Sequence, residues 1–483
     1  MQRLLTALRR RGGTDPTSLW NSRSGNIALI TAMLMIPLCF ALGMAFDFTL
    51  AQSRTDQIDG MADVAALGGV TPTMMAQNNA TAVNTARTLF LSQVNTISGV
   101  TYNSNNVNIT ANDASSGTSV SRVLTINFQA ASQNVFAKLL GMDTFPIHGS
   151  SQAKSSTAPN IDFYLLLDTS PSMEIAATSS GITTMQADTP QQESGCAFGC
   201  HESAPSDLGT FPNNITCPAA GKYADGTSFS AGSKFPTTGR DNYDLSRCVG
   251  VTLRIDLLNQ AAQNLMTEAA TTATTDHATY RMAMYESDTN QVNTANDLTL
   301  YQLQALTSDL TAAKNQAATV APLEMYQNNH LKSGDSNQDE DTYLDTDLTT
   351  INSTYLPTPG AGTNNNGDTP QEVLFIVTDA LNDENVSGSR KYLPMDQNGT
   401  RCTAIKNRGI RIAVLYTTYE PMTGENWYDS HIAPLQNGTD QMQTAAQNCA
   451  SPGLFYQVST NGDVSAALIA LFKEAVATAR LTQ

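Results

Sequence analysis

Two apolar segments of the sequence end in an aspartate, and hydroxyl side chains follow the first of them. FYLLLD ends at Asp168 and continues as DTSPS, a D-x-S-x-S pattern, whereas LFIVTD ends at Asp379. Carboxylate and hydroxyl oxygens are the donors that hard divalent cations prefer. We therefore expect Asp168, Ser170, Ser172 and Asp379 to form a site for Mg²⁺, or for Mn²⁺ or Ca²⁺. The alternative is that the two serines only cap the turn after the strand.

Strands and helices alternate through the second part of the chain, and this arrangement would bring the two aspartates together. The predicted strands are FYLLLD, YRMAMYES, EVLFIVTD, IRIAVLYTT and GLFYQVS, and the clearest helices are LRIDLLNQAAQNLMTEAA and DVSAALIALFKEAVATARL. This alternation predicts an α/β fold with a doubly wound, mainly parallel sheet. Ligands of such sheets bind outside the carboxyl ends of the strands. We assign residues 158–483 to this domain, with a Cys-containing insertion at about 176–250.

The length and charge of the chain limit its function. A chain of 483 residues is too long for one ordinary core, so two or three domains are expected. The formal net charge is −17, although residues 1–25 are basic. An acidic body repels phosphates, which argues against nucleic acid as a partner.

A membrane explains the basic N-terminus. Ile27 to Phe46 is a run without charged residues, long enough to span roughly 30 Å as a helix, and Pro37 within it is tolerated in membrane helices. Arginines precede the run and Asp47 follows it. The positive-inside rule then predicts a cytoplasmic segment 1–25, a transmembrane helix 26–46 and an exported remainder. A cleaved secretory signal is the alternative, but its apolar core is normally shorter.

Residues 47–155 are predicted to form a small α+β domain. Residues 47–68 continue the membrane helix, 76–95 form a second helix, and VTYNSNNVNITA and SRVLTINFQA form a hairpin. FAKLLGM and FPIHGSSQAKS complete the unit, and SSTAPN is a short linker.

The cysteines fit an exported body. Cys39 lies in the apolar run, and six others are candidates for three disulfides, namely Cys196, Cys200, Cys217, Cys248, Cys402 and Cys449. Cys402 and Cys449 make a natural pair, whereas the other four allow three pairings. Zinc bound through CAFGCH is the less favoured alternative.

The strand-D-x-S-x-S unit, the IVTD strand and the alternating architecture resemble a von Willebrand factor A domain with its metal-ion-dependent adhesion site. The resemblance implies that Ser170 and Ser172 contact the metal directly and that Asp168 and Asp379 support it, mostly through water. It also implies a threonine ligand. Thr342 suits this role best, with Thr346 and Thr363 as rivals. The sequence departs from the family at Ala380, where the family usually has glycine.

The N-terminal stretch RSGNIALITAMLMIPLCFALGMAFDFTLAQSRTDQIDGMADVAALGG resembles TadG-like proteins of the bacterial Tad (Flp) pilus machinery. GCAFGCH and the C-terminal CTAIKNRGIRIAVLY and LFKEAVATARL also suit that group. The resemblance implies a single-pass inner-membrane protein with a periplasmic or surface-exposed body that assists assembly or anchoring of a pilus. Gly25 is not followed by the glutamate of processed pseudopilins, so processing of that kind is not carried over.

Two further patterns in the sequence are incomplete versions of known sites. Asp335, Asn337, Asp339 and Asp341 alternate like the start of a Ca²⁺ loop, but the glycine and glutamate of an EF-hand are missing, so a solvated acidic loop is expected. The five histidines are scattered, and no G-x-S-x-G elbow or phosphate-binding loop follows a strand. We therefore expect a binding protein rather than an enzyme.

In the first functional hypothesis the metal keeps an open position, which attracts a carboxylate from a pilus or envelope protein. The second is a metal-independent envelope scaffold that packs against partners through its surface.

Overall fold

The structure is a computed structural model that describes residues 23–115, 119–192, 195–204, 209–287, 300–326, 342–386, 389–419, 421–422, 425–459 and 462–478. The chain divides into two compact units. Unit 1 comprises Met1–Asn112 and Arg122–Ser155, and unit 2 comprises Asp113–Ser121 and Ser156–Gln483.

Unit 1 is built from helices and one antiparallel sheet. Its elements are α1 (Arg23–Gly68), α2 (Pro72–Met75), α3 (Asn79–Val94), β1 (Val100–Ser115), β2 (Val120–Gln133), a 3₁₀ turn (Ala137–Leu140) and β3 (Thr144–Thr157). The strand order is β1-β2-β3. The side chain of Asn78 accepts a hydrogen bond from the Thr81 N–H and so fixes the start of α3. Residues of the second half of α1, α3 and the sheet share one core, which includes Ile58, Phe90 and Leu124.

The first half of α1 is apolar and exposed. Within the described residues, one helix is long and apolar enough to cross a membrane, Ile27–Gly68, with a mean hydropathy of 2.4 in its most apolar part. Large apolar side chains from Ile27 to Phe48 are exposed. The helix continues without interruption into its second half, which packs in the core of unit 1, and ends at Gly68.

Unit 2 contains a six-stranded sheet, which confirms the predicted fold class. The strands are β4 (Ile161–Asp168), β8 (Tyr280–Ser287), β9 (Tyr301–Thr307), β11 (Gln371–Thr378), β14 (Arg411–Thr417) and β15 (Phe455–Val458). Their order is β15-β14-β11-β4-β8-β9, and only the β8–β9 pairing is antiparallel. The edge strand β9 was not predicted.

Side chains alternate between two apolar cores on the faces of this sheet. Phe163, Leu165 and Leu167 belong to one core, whereas Tyr164 and Leu166 belong to the other. Full burial of one large apolar side chain contributes about 1.5–3 kcal/mol. Strands β4 and β11 are therefore the stable centre that holds the loops at their carboxyl ends.

Helices cover both faces. The described helices of unit 2 are α4 (Ser179–Asp188), α5 (Asn242–Val249), α6 (Arg254–Asp276), α7 (Leu310–Ala317), α8 (Leu344–Thr350), α9 (Thr400–Asn407), α10 (Ala433–Gln436), α11 (Gln441–Cys449) and α12 (Val464–Thr478). Short 3₁₀ or π turns cover Pro171–Glu174, Ile351–Tyr355 and Tyr428–Ile432. Buried residues of α6, α7 and α12 join one core, and those of α8, α9 and α11 join the other.

Small paired strands surround the main sheet. They are β5 (His201–Glu202) with β10 (Glu324–Met325), β6 (Gly221–Lys222) with β7 (Ser228–Phe229), and the hairpin β12 (Leu381–Val386) with β13 (Ser389–Pro394). None of these pairs was predicted, because two-residue strands and a polar hairpin carry little apolar periodicity.

Two disulfides are present in unit 2. Cys402 pairs with Cys449 as predicted, and Cys217 pairs with Cys248. The expectation of three disulfides needs correction, because Cys196 and Cys200 are free thiols in this structure. The Cys196 thiol donates a hydrogen bond to the Phe198 carbonyl at 3.7 Å. Zinc through these cysteines is not supported either, since Cys217 and Cys248 are bonded to each other.

Candidate metal site

The two predicted aspartates lie at the same edge of the sheet because their strands are parallel neighbours. In the register of β4 and β11, Leu167 is opposite Val377. Asp168 is the last residue of β4, and Asp379 directly follows β11. Both side chains are completely buried.

The Asp168 carboxylate organises the D-x-S-x-S loop. Its Oδ1 accepts hydrogen bonds from the Ser170 N–H at 3.0 Å and from the Ser170 hydroxyl at 2.6 Å. Its Oδ2 accepts from the Thr378 hydroxyl at 2.6 Å. The Ser170 and Ser172 hydroxyl oxygens lie 3.0 Å apart. Four oxygen-bearing side chains from two loops therefore converge.

Asp379 faces this loop from the neighbouring strand. Its Oδ1 accepts a hydrogen bond from the Leu381 N–H at 3.2 Å. Its Oδ2 has no hydrogen-bond partner among the described residues. The nearest cation is the Arg254 guanidinium, whose Nη1 lies 3.8 Å from that oxygen.

The chain turns sharply after Asp379. Ala380 is fully buried with a φ of 61°, a backbone conformation that usually costs a non-glycine residue about 1–3 kcal/mol. Its N–H donates to the Thr378 hydroxyl at 2.8 Å, and its carbonyl accepts from the Met395 N–H at 2.9 Å. Glycine adopts a positive φ more easily than alanine does. The alanine at position 380 therefore fits this turn only with backbone strain.

Four residues of the site were not predicted. Thr378 carried a signal, because its hydroxyl immediately precedes Asp379 in the IVTD strand. Asp347 on α8 accepts a hydrogen bond from Ser287 at the end of β8, and Asp168 lies within electrostatic reach of it. Arg254 begins α6, and its Nη2 donates to the Thr418 carbonyl at 2.7 Å. The sequence carried no local signal for Asp347, Ser287 or Arg254.

Burial makes the carboxyl groups of this site weak acids. It raises the pKa of Asp168 above its ordinary value. Burial, followed by the charge of Asp168, raises the pKa of Asp379 to about 7. Burial raises the pKa of Asp347 to about 7 as well, and the charge of Asp168 contributes. Asp379 and Asp347 are therefore partly protonated near neutral pH, and positive charge placed close to them would favour their ionised forms.

The three threonine candidates lie in different places. Thr342 pairs with Asp383 through backbone hydrogen bonds of 3.0 and 3.2 Å, and it lies two residues before α8. Thr346 is an exposed residue of α8. Thr363 donates to Asp368 at 2.5 Å in a loop that precedes β11. This loop lies at the amino ends of the strands, because the Gly362 carbonyl accepts from the N–H of Asn160, just before β4. Thr363 is thus on the wrong edge of the sheet.

A cavity of about 790 Å³ opens beside the D-x-S-x-S loop. Ser172 and Thr342 both line it, whereas Asp168, Ser170 and Asp379 are fully buried behind Ser172 and do not. Phe198, Tyr392 and Trp427 form part of its wall. The Asp335–Asp341 alternation lies outside the described residues.

The donor set fits a hard divalent cation. The buried Oδ2 of Asp379 lacks the hydrogen bond that such an oxygen normally has, and its one ion pair, with Arg254, is long at 3.8 Å. The neighbouring Ser170, Ser172 and Asp168 supply oxygen atoms only. Within the described ranges, no three histidine, cysteine, aspartate or glutamate side chains converge as a ready metal cage. Hydroxyl oxygens would thus have to complete the coordination.

Comparison with known proteins gives structural likenesses only. No protein-family model matches the sequence, and no curated protein matches it. Similar solved structures include pilus proteins. The vWF domain of the type V pili tip protein Mfa5 from Porphyromonas gingivalis is 9% identical with a TM-score of 0.32, covering 66% of this chain and 95% of that one.

Two other structures are similar at the same level. The pilus adhesin SpaC from Lactobacillus rhamnosus GG is 9% identical with a TM-score of 0.31, covering 77% of this chain and 34% of that one. The manganese-loaded TRAP protein of Plasmodium vivax is 12% identical with a TM-score of 0.26, covering 65% of this chain and 74% of that one. The chain thus spans about a third of the length of SpaC. At such low TM-scores, no functional conclusion follows from these likenesses.

Proposed function

We propose that the protein is a membrane-anchored, exported binding protein that holds a divalent cation, Mg²⁺ by preference, at the carboxyl ends of β4 and β11. Ser170, Ser172 and Thr342 would contact the cation, and Asp168 and Asp379 would support it. An open coordination position would take an acidic residue of a partner. By its resemblance to TadG-like proteins, that partner belongs to a Tad (Flp) pilus or to the cell envelope, and the protein is not an enzyme.

The observation that carries this proposal is the Oδ2 of Asp379, which has no hydrogen-bond partner among the described residues and lies in a buried cluster of carboxyl groups. Burial disfavours the ionised form of these carboxyl groups, and a bound cation would stabilise it. Hydroxyl ligands are neutral, so much of the charge of the cation would remain available to a carboxylate from outside. The cavity beside Ser172 gives that carboxylate a path of approach.

The proposed location rests on the N-terminus. The exposed apolar residues of α1 suit lipid, and the preceding arginines favour a cytoplasmic N-terminus with the body exported. The disulfide bonds Cys217–Cys248 and Cys402–Cys449 suit an oxidising compartment.

A second function, a metal-independent scaffold, is favoured by one specific observation. The Arg254 guanidinium lies near Asp379 and partly compensates its charge without any metal. A built-in cation of this kind could keep the loop ordered while the surface of unit 2 does the binding.

Calorimetric titration of the metal-stripped full-length protein in detergent with Mg²⁺ and Mn²⁺ tests the metal proposal. The wild type should give a binding heat, Ser170→Ala with Ser172→Ala should abolish it, and Asp379→Asn should weaken affinity about 10–100-fold, as loss of a supporting group does. Thr183→Ala, an exposed hydroxyl of α4, is the control and should bind like the wild type. The absence of heat from the wild type would refute the metal site.

A further inference from the structure

An exposed apolar turn lies beside the end of the apolar part of α1. Residues 135–142, the apolar turn, include the 3₁₀ turn Ala137–Leu140 and connect β2 to β3. Five of its large apolar side chains are exposed, and they are Val135, Phe136, Leu139, Leu140 and Met142. Leu139 is 73% exposed, which is unusual for leucine in a soluble protein when its neighbours are apolar too.

Polar contacts fix the apolar turn to α1. The Asp47 carboxylate accepts hydrogen bonds from the N–H groups of Val135, Phe136 and Ala137 at 2.7–2.9 Å. Burial opposes the charge on Asp47, but these donors outweigh it and keep the pKa of Asp47 below its ordinary value. Farther along α1, Arg54 donates to the Ser132 hydroxyl at 2.8 Å and to the Gln133 carbonyl at 2.9 Å.

Close packing also fixes the position of the apolar turn along the axis of α1. A Cβ on Gly43 would lie 2.6 Å from Cγ of Phe136, so the phenyl ring packs directly against the helix backbone there. The rings of Phe46 and Phe136 meet edge to face with centroids 6.1 Å apart. Gly43 lies four residues before Asp47, or about 6 Å along a helix. Phe136 therefore lies level with the last turn of the apolar run.

We infer that the apolar turn inserts into the interface of the same lipid bilayer that α1 spans, as a second membrane contact of unit 1. The inference rests on the proposed membrane anchor. Lipid is the occupant because the patch is continuous with the exposed apolar side chains of α1, including Phe46 and Phe48. The exposed Lys138 suits the same place, since a lysine can extend its ammonium group to lipid phosphates while its stem stays in apolar surroundings.

Insertion would restrict the rotation and tilt of unit 1 on the membrane. A single helix leaves a domain free to turn about the helix axis, whereas a second contact beside the helix, held by Asp47 and Arg54, does not. The apolar turn would thus set which side of unit 1 faces away from the membrane.

Fluorescence quenching by lipids brominated in their acyl chains tests this inference on the full chain in phosphatidylethanolamine–phosphatidylglycerol vesicles. Leu139→Trp and Leu67→Trp are compared in a background of Trp20→Phe and Trp427→Phe. Leu67 is the matched control, because it is 61% exposed on the same helix but lies about 30 Å beyond Phe46. Emission from position 139 should be quenched by at least half, and emission from position 67 should not change.

Flotation of the same vesicles after an alkaline wash separates the two proposals. If the protein floats and both tryptophans are equally unquenched, insertion of the apolar turn is wrong and the helix anchor stands. If the protein no longer floats, the anchor is wrong and the inference falls with it. Leu139→Asp with Leu140→Asp should still float, because the helix remains.

Discussion

At the residue scale, buried acidic side chains lie at both ends of the strands of the main sheet in unit 2. Glu372, Asp162 and Arg281 are register neighbours on β11, β4 and β8. Arg281 forms a two-pronged ion pair with Asp162. One guanidinium cannot neutralise two carboxylates. Burial, and then the charge of Asp162, raise the pKa of Glu372 to about 9.

Glu372 should make unit 2 less stable as the pH rises. The folded protein keeps the Glu372 proton up to about pH 9, whereas the unfolded chain releases it near the ordinary value of 4.5. Between these values the unfolded state binds fewer protons, so the free energy of unfolding falls with increasing pH. Glu372→Gln removes this contribution, and the Tm of the variant should fall less than that of the wild type between about pH 5 and pH 8.

Thermal unfolding of the full chain in detergent at both pH values checks this expectation. Glu268→Gln is the control, because its carboxylate is partly exposed and pairs with Lys473 on the surface. A wild type and a Glu372→Gln variant with the same pH dependence would contradict the assignment of a raised pKa to Glu372.

At the element scale, the apolar patterns predicted the strands better than the insertion. FYLLLD, YRMAMYES and EVLFIVTD were expected as strands, and the structure has strands at Ile161–Asp168, Tyr280–Ser287 and Gln371–Thr378, because buried central strands are rich in apolar residues. The insertion holds its loops with the Cys217–Cys248 disulfide and short strand pairs. Its segment around Cys196 and Cys200 pairs with the chain after the D-x-S-x-S loop, through the bridge between Ile175 and Phe198.

Cys196 and Cys200 should form a third disulfide under oxidation. They are four residues apart in the chain and both line the cavity beside Ser172, so an oxidant can reach them. A small disulfide such as oxidised glutathione would take two electrons and two protons from the thiols and leave as two thiols. Alkylation of the denatured protein, followed by mass measurement, should fall from three modified cysteines to one, Cys39.

Cys196→Ser provides the control for this experiment. Cys200 and Cys39 should both stay open to alkylation in the variant after removal of any glutathione adduct with a mild reductant. Continued alkylation of both Cys196 and Cys200 in the oxidised wild type would show that the loop cannot close the bond.

At the scale of the whole molecule, the proposals join a membrane helix, a small unit and a binding unit in one chain. The metal-dependent and scaffold functions predict the same overall architecture. They differ in what the D-x-S-x-S loop must do.

Cells that lack the native protein can separate these two functions. Under metal-dependent binding, Asp168→Ala with Ser170→Ala should abolish pilus assembly while the variant stays in the membrane at wild-type abundance. Thr183→Ala should restore assembly like the wild type. Pili of normal number with the double variant would favour the scaffold, and electron microscopy of the cell surface with immunoblots of membranes measures both.

The sequence by itself determined five of the six strands of the main sheet, the aspartates at the ends of two of them, the apolar helix and the Cys402–Cys449 pair. Most of these features have a local signal, since a run of apolar residues marks a buried strand or a membrane helix. The strand-end aspartates then meet because parallel strands have their carboxyl ends at the same edge of the sheet. It did not give the edge strand β9 or the β12–β13 hairpin, whose apolar signals are weak.

Only the tertiary structure decided which other groups reach the candidate site. Asp347, Ser287 and Arg254 arrive from α8, β8 and α6, and their positions depend on how those elements pack on the sheet. The same holds for Cys217 with Cys248, for Thr363 at the opposite edge, and for the apolar turn beside α1. Contacts between distant residues depend on how whole helices and strands pack against one another, and a short sequence pattern does not contain that information.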